Sequence, residues 1–442
     1  MRAALAALAA GLLLVAVGCG NQSTPSSSGL GSDAAALAPP GAIAFVSIDG
    51  NLDSKQWQRL DDLTKGLPLR DRVLEQVRTA LRQAQLDFDA DVRPAVGPEL
   101  GVAVLQGDGG SPEPVVLTQP EDESKLRSLV ATYDEHAEGY RVERIGDWSV
   151  VADSTEIFRQ VRAAESGRSL ADVPWFQQAH ARVSGKAVAR AYANGTALSV
   201  LPAQLRGLVT GSPRWVAARL AVEDDAIRVE LDAASVPSAP ALYRPSLLRD
   251  VPSGAVLAVS FKDLDRSLGK LGTFGRMFGL LPERLAPALK GEGAFYVLSG
   301  VLIPNFALEV QSPDPDGAAN ALRAVAATLR AKTGNALPLR VARYGSRVVL
   351  TNAPATLRAA GGSLMNDHAF KDALAKAGVP DRVTFLAYAD LERLAPIVKL
   401  LAQLGGGSSA RGLQDIDRLK ALVAFGAGSD SASRIVVRVG VR

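Results

Sequence analysis

Apolar residues fall in short runs bounded by Gly, Pro and Asp, with stretches of helical spacing between them. Ile43–Ile48, Leu100–Leu105 and Val115–Thr118 read as strands. A helix over Glu121–Tyr133 follows, with Leu126, Leu129, Val130 and Tyr133 on one face. Tyr140–Arg144 and Trp148–Ala152 flank Gly146-Asp147, a hairpin signal. Two helical stretches come next, then a strand over Lys186–Tyr192. Asn194 stands where an N-cap would start another helix. Trp215–Val222 and Ile227–Leu231 form a last hairpin, turning on Glu223-Asp224-Asp225. Strands paired in hairpins with helices inserted predict an α+β fold with a largely antiparallel sheet, not a doubly wound βαβ fold.

The same pattern recurs about 200 positions later. Pro39-Pro40-Gly41-Ala42 and Ile43–Ser47 return as Pro252-Ser253-Gly254-Ala255 and Val256–Ser260. Leu322, Val325, Ala326 and Leu329 repeat the helix face. Arg343-Tyr344-Gly345 with Val349-Leu350 repeats Arg144-Ile145-Gly146 with Val150-Val151. Phe370 answers Phe176, Ala387-Tyr388-Ala389-Asp390 answers Ala191-Tyr192-Ala193-Asn194, and Ile435–Val437 answers Ile227–Val229. The order never changes, so the reading is two tandem duplicated units, each a mostly antiparallel sheet with helices packed on it. The first spans 39–235 and the second 247–442, with a linker at 236–246. An insertion in the first unit carries the helix expected at Arg70–Leu86.

The first residues differ in kind. Met1-Arg2 precedes an apolar run, Ala3–Val17, broken only by Gly11. Crossing a bilayer takes about 20 residues; this shorter run matches the core of a secretory signal. Ala16-Val17-Gly18-Cys19 resembles a bacterial lipobox, in which the Cys is acylated and becomes the first residue. The expected plan is a signal peptide at 1–18, lipid on Cys19 and a flexible Ser/Gly/Pro tether at 19–38. The protein would then sit outside the cytoplasm, held to a bacterial membrane by its lipid.

Composition narrows the chemistry. In 442 residues there are one Cys and three His, which excludes a disulfide framework, a zinc ribbon and a thiolate iron–sulfur site. The net charge of +3 is too balanced to indicate nucleic acid. The two halves are not balanced, however. Residues 39–240 hold 29 acidic and 22 basic side chains, whereas 241–442 hold 16 and 26. A basic second unit could steer an anionic envelope component, and Arg340, Arg343 and Arg347, bracketing Tyr344-Gly345-Ser346, are the candidate cluster. Trp57, in a charged segment, is the tryptophan expected to be partly exposed and is a candidate binding residue.

Catalytic patterns are weak. There is no Gly-x-Ser-x-Gly elbow. His136, His180 and His368 lie in polar surroundings and are expected in solvent. Asp87, Asp89 and Asp91 alternate as a calcium loop begins, but the Gly at the sixth position is missing. Gly405–Gly412 is glycine-rich but follows a helix and lacks a terminal Gly-Lys-Ser/Thr. The four-glycine, Phe/Met-rich stretch 268–289 would suit a mobile cover over an apolar groove. No catalytic residue, metal or cofactor is expected.

Pro-x-Gly-Ala leading a strand, then Ser54-Lys55-Gln56-Trp57-Gln58-Arg59-Leu60, then strand-Ala-Tyr-Ala-Asp390-Leu391, resembles the bacterial envelope family known as domain of unknown function 3352. The resemblance would cover nearly all of the mature chain and implies an envelope protein behind a signal peptide, lipobox or membrane helix. The second unit lacks the Gln-Trp segment. The expected function is that of a non-catalytic envelope lipoprotein, a binding or scaffolding module. The alternatives are a carrier or sensor of an anionic or lipidic envelope ligand, and a hydrolase with an unrecognised site.

Overall fold

The computed structural model describes residues 31, 33–107, 110–134, 139–200, 213–234, 241–264, 289–299, 304–333, 338–353, 362–404, 414–428 and 432–442. The chain divides into two units, Met1–Val236 and Pro237–Arg442. Both are α+β, and every strand pair described below is antiparallel. Cys19, His136, the stretch 268–288 and Gly405–Gly412 lie outside the described residues.

In the first unit the strands are β1 (Ala44–Asp49), β2 (Glu99–Gln106), β3 (Pro112–Thr118), β4 (Arg141–Ile145), β5 (Trp148–Ala152), β6 (Ala189–Asn194), β7 (Trp215–Val222) and β8 (Ala226–Ala234). Their order across the sheet is β4-β5-β3-β2-β1-β6-β7-β8. β1 lies between β2 and β6, with Ser47 opposite Gly101 on one side and Arg190 on the other. Helices α1 (Lys55–Thr64) and α2 (Pro68–Gln83) follow β1. α3 (Glu123–Asp134) follows β3, α4 (Thr155–Glu165) and α5 (Pro174–Arg182) follow β5, and the short α6 (Gly195–Val200) follows β6.

Among the apolar clusters of the described residues, two hold α1 and α3. One joins Ile48, Trp57, Leu60, Leu100, Val188 and Val222. The other joins Leu126 and Leu129 of α3 to Val142 and Val151 of the β4–β5 hairpin. The helix face read from the sequence is therefore the face that packs on the hairpin. The helix expected at Arg70–Leu86 begins earlier, at Pro68, because Pro suits the first turn, where its missing N–H costs no bond.

The second unit contains β9 (Ala255–Lys262), β10 (Glu292–Leu298), β11 (Asn305–Gln311), β12 (Arg340–Tyr344), β13 (Arg347–Thr351), β14 (Phe385–Asp390), β15 (Leu419–Gly428) and β16 (Ala432–Val441). Its strand order is β12-β13-β11-β10-β9-β14-β15-β16. Strand for strand, this is the succession found in the first unit. Helices α7 (Pro315–Thr333), α8 (His368–Ala377) and α9 (Leu391–Leu404) follow β11, β13 and β14. Leu322, Val325 and Ala326 of α7 pack with Val348 and Leu350 of the β12–β13 hairpin.

Paired details recur inside each unit. Phe176 meets Tyr192 edge-on at 5.1 Å and 80°, and Phe370 meets Tyr388 at 5.0 Å and 86°. Asn194 Oδ1 accepts from Ala197 N at 3.0 Å, and Asp390 Oδ1 from Arg393 N at 3.0 Å, each capping the following helix. Gly146 and Gly345 occupy tight hairpin turns with φ of 56° and 63°. A side chain at such a φ is disfavoured by about 1 kcal/mol. Nothing lies within 4 Å of a Cβ added at Gly345. Gly345→Ala should therefore cost about 1 kcal/mol without a clash, lowering the thermal midpoint by roughly 2–4 °C in calorimetry.

Two expected boundaries are corrected. Residues up to 38 were expected as tether, but Ala34, Ala35 and Ala38 are fully buried, with Ala34–Ala36 forming a 3-10 turn. Leu170 N donates to Ala38 O at 2.8 Å. Alanines pack closely without side-chain entropy cost, so an Ala-rich stretch that reads as linker becomes wall. Likewise Tyr243, placed in the linker, is 5% exposed and bridges Val383, and the second unit begins before Leu247.

Candidate functional site

The Gln-Trp segment builds a joint inside the first unit. Ser54 caps α1, accepting from Trp57 N, and its hydroxyl donates to Asp49 Oδ2 at 2.6 Å. Gln56 is clamped on the β7 backbone: its Nε2 donates to Val222 O and its Oε1 accepts from Val222 N, both at 3.0 Å. Trp57 Nε1 donates to Asp49 O at 2.6 Å. Trp57 is 1% exposed, contrary to the expected exposure. Lys55 and Gln58 are exposed on α1, while Trp57 faces the core. Among the described tryptophans Trp175 is the exposed one, at 41%, with Arg214 over its ring at 4.9 Å.

The arginine cluster is also corrected. Arg343 pairs with Asp316, and Arg347 with Asp250 and, at 3.4 Å, with Glu309. Arg330 donates to Leu339 O, and Arg340 is exposed on β12. Arg343 and Arg347 of the hairpin are thus neutralised by neighbouring elements, as Arg144 and Glu143 of its counterpart are by Glu123 and Arg162. The acidic partners come from α7, from β11 and from Asp250 before β9, out of reach of a local reading.

His368 is exposed at the start of α8. His180 is not simply solvated: its ring stacks on Phe176 at 5.6 Å and lines a cavity of about 10 Å³ with Ser47, Arg190 and Tyr192. Among the described residues Ser47 Oγ is buried without a hydrogen-bond partner, whereas Ser260, at the matching position of β9, bonds Tyr243 Oη at 2.8 Å. Beside this cavity Glu99 accepts from Gly31 N at 2.9 Å. Burial pushes the Glu99 carboxyl up to about 7 and that of Asp49 up to about 6. Asp49 and Glu99 sit opposite each other in the β1–β2 register. Sequence reading missed this group because its members lie far apart in the chain.

Asp87, Asp89 and Asp91 form a single helical turn at Phe88–Val92. Asp87 accepts from Ala90 N, and Asp91 takes Asp87 N and Lys125 Nζ at 2.9 Å each. These acids close a turn and an ion pair. Among the described residues no group of three His, Cys, Asp or Glu is placed to hold a metal, and no helix is long and apolar enough to cross a membrane.

Two roomy concavities among the described residues are open and carry both signs of charge. One, of about 530 Å³ in the first unit, is lined by Arg59, Lys186, Arg219 and Arg228 with Glu223, Asp224 and Glu230. Arg59 pairs with Asp224, Arg219 with Glu230, and Arg228 with Glu223 and Glu230. The other, of about 560 Å³ in the second unit, is lined by Arg244, Lys262, Glu292, Gln311, Ser346 and Arg382 among others.

No curated protein matches the chain. Among solved structures, crystal form IV of TP0453 is similar at a TM-score of 0.25 and 8% identity, covering 47% of this chain and 82% of that one. Crystal form I of TP0453 gives 0.17 and 8%, covering 73% and 92%. Likeness at this level carries no argument. The family match is narrower than the nearly full-length resemblance expected and stops short of the second unit's Ala-Tyr-Ala-Asp390 motif. Residues 2–145, which hold the Pro-x-Gly-Ala strand and the Gln-Trp segment, match the family described as protein of unknown function (DUF3352).

Proposed function

We propose that this chain is a cell-envelope lipoprotein whose two α+β units arose by duplication and serve as a non-catalytic binding or scaffolding module. The observation that carries the reading is the form of two concavities among the described residues: both are open, the first-unit one walled by paired cations and carboxylates and the second-unit one by Arg244, Lys262 and Arg382 with Glu292. Enclosed sites with converging acid and base groups suit catalysis, and open mixed-charge surfaces suit recognition. Duplication is supported by the common strand order, the matching Phe–Tyr pairs and the matching helix caps. The leader and Cys19 support the anchor.

A second reading, a carrier or sensor of an anionic envelope ligand, is favoured by the cations of the second-unit concavity. The anchor is tested on protein extracted from the envelope. Mass spectrometry should find a mature chain starting at acylated Cys19, and Cys19→Ser should move the protein into the soluble fraction. An unmodified Cys19 thiol, or a mature N-terminus elsewhere, overturns the anchor.

A further inference from the structure

One rung of the second unit's sheet concentrates the charge asymmetry seen in the sequence. Lys262 is opposite Glu292, Glu292 is opposite Gln311, and Gln311 is opposite Arg347. Residues directly opposite in antiparallel strands put their side chains on the same face, so the four form one row across a face of the sheet. The corresponding rung of the first unit holds Asp49 and Glu99. At the place where the first unit puts a part-buried carboxylate, the second puts an exposed ammonium.

The carboxylates near Lys262 are already engaged. Glu292 accepts Ser246 Oγ at 2.6 Å and Leu247 N at 2.7 Å. Arg347 is held by Asp250 and Glu309. Lys262 has no ion-pair partner among the described residues. Arg382 donates to Leu242 O at 2.9 Å and meets no carboxylate among them. Arg244 reaches only Asp381, at 3.7 Å, with both side chains mostly exposed. Three cations therefore border one open cavity of about 560 Å³ whose lining carboxylate, Glu292, is spent on local donors. Gln311 and Ser346 add polar groups on the far side.

We infer that this cavity is an oxyanion-binding site for a phosphate-bearing ligand, with Lys262 and Arg382 as its principal cations and Arg244 as a third. The site takes the place of the Arg340–Arg347 hairpin as the basic surface of the second unit. Phosphate fits because its several oxygens can accept from an ammonium and two guanidiniums at once, and charged hydrogen bonds of this kind are short and strong. The inference rests on the reading of the chain as a binding module but not on its anchor, so its failure leaves the Cys19 test standing.

The experiment titrates the full chain with pyrophosphate by calorimetry at about 20 mM and about 500 mM salt. Binding should appear at low salt and weaken at high salt. The double variant Lys262→Ala/Arg382→Ala should bind roughly tenfold or more weakly. Lys262→Arg should stay within about threefold of the parent, since it keeps the charge. Lys371→Ala, an exposed cation on α8, should bind as the parent does. Co-sedimentation with phosphatidylglycerol and phosphatidylcholine vesicles separates the sources. Pelleting with the former that the double variant loses indicates a lipid headgroup, and pyrophosphate binding without pelleting indicates a soluble or polymeric phosphate. Absence of pyrophosphate binding at low salt, or equal affinity in a double variant that keeps its thermal midpoint, overturns the site.

Discussion

Trp57→Ala should destabilise the first unit by about 3–5 kcal/mol, the cost of truncating a large aromatic in a core. Trp57 is 1% exposed and packs with Ile48, Leu60, Leu100, Val188 and Val222. Its indole N–H also satisfies Asp49 O at 2.6 Å, a carbonyl that truncation leaves unpaired. In calorimetry of the full chain the first unit's transition should fall by roughly 10 °C or more. Trp57→Phe should keep most of the packing and cost about 1–2 kcal/mol through the lost hydrogen bond. A residue reserved for ligand contact would behave oppositely, leaving stability untouched when removed. A loss below about 1 kcal/mol for Trp57→Ala would refute the structural assignment.

The second large effect concerns pH. Burial raises the Glu99 carboxyl from 4.5 to about 7, partly opposed by the backbone N–H groups of Gly31 and Ala34. A carboxyl whose folded value lies above its unfolded value holds its proton more tightly in the fold. Its contribution is fully present below pH 4.5 and is lost as pH rises through about 7. The span corresponds to about 3 kcal/mol. Asp49, raised from 3.8 to about 6 by burial, acts in the same direction over a lower window. Carboxylates held low by cations or by N–H and O–H donors, such as Glu75, Asp91 and Asp122, oppose this at the acid end.

The first unit should therefore be more stable near pH 5 than near pH 7.5. Glu99→Gln, a neutral isostere whose Oε1 can still accept from Gly31 N, should flatten the profile and raise the midpoint at pH 7.5. Calorimetry across this range decides the matter. An unchanged slope in Glu99→Gln would show that Glu99 does not carry the dependence. Because Glu99 accepts from Gly31 N, the same titration bears on the hold on Gly31.

Local physics made much of the fold legible. Strand alternation, Gly at the hairpin turns, Asn194 and Asp390 at helix starts and the α3 and α7 faces depend on a few consecutive residues. Their energetics are settled within a turn or a strand pair. The family resemblance also lay in such short motifs, and it holds over residues 2–145. The recurrence at an offset of about 200 was visible because each motif is local and only its order had to be kept.

Only the tertiary structure decided which charges are free. Arg347 meets Asp250 across 97 positions, and Arg343 meets Asp316 across 27. No local pattern encodes such pairs, since an ion pair forms wherever the fold brings two side chains together. The same holds for Trp57, a core residue in a polar segment, and for Ala34–Ala38, wall rather than tether. It holds also for Glu99, whose environment is assembled from β1, β2, β6 and the stretch before β1. The sequence by itself determined the order of elements and the asymmetry of charge. The fold determined where that charge remains available, because burial and pairing are properties of neighbours in space and not of neighbours along the chain.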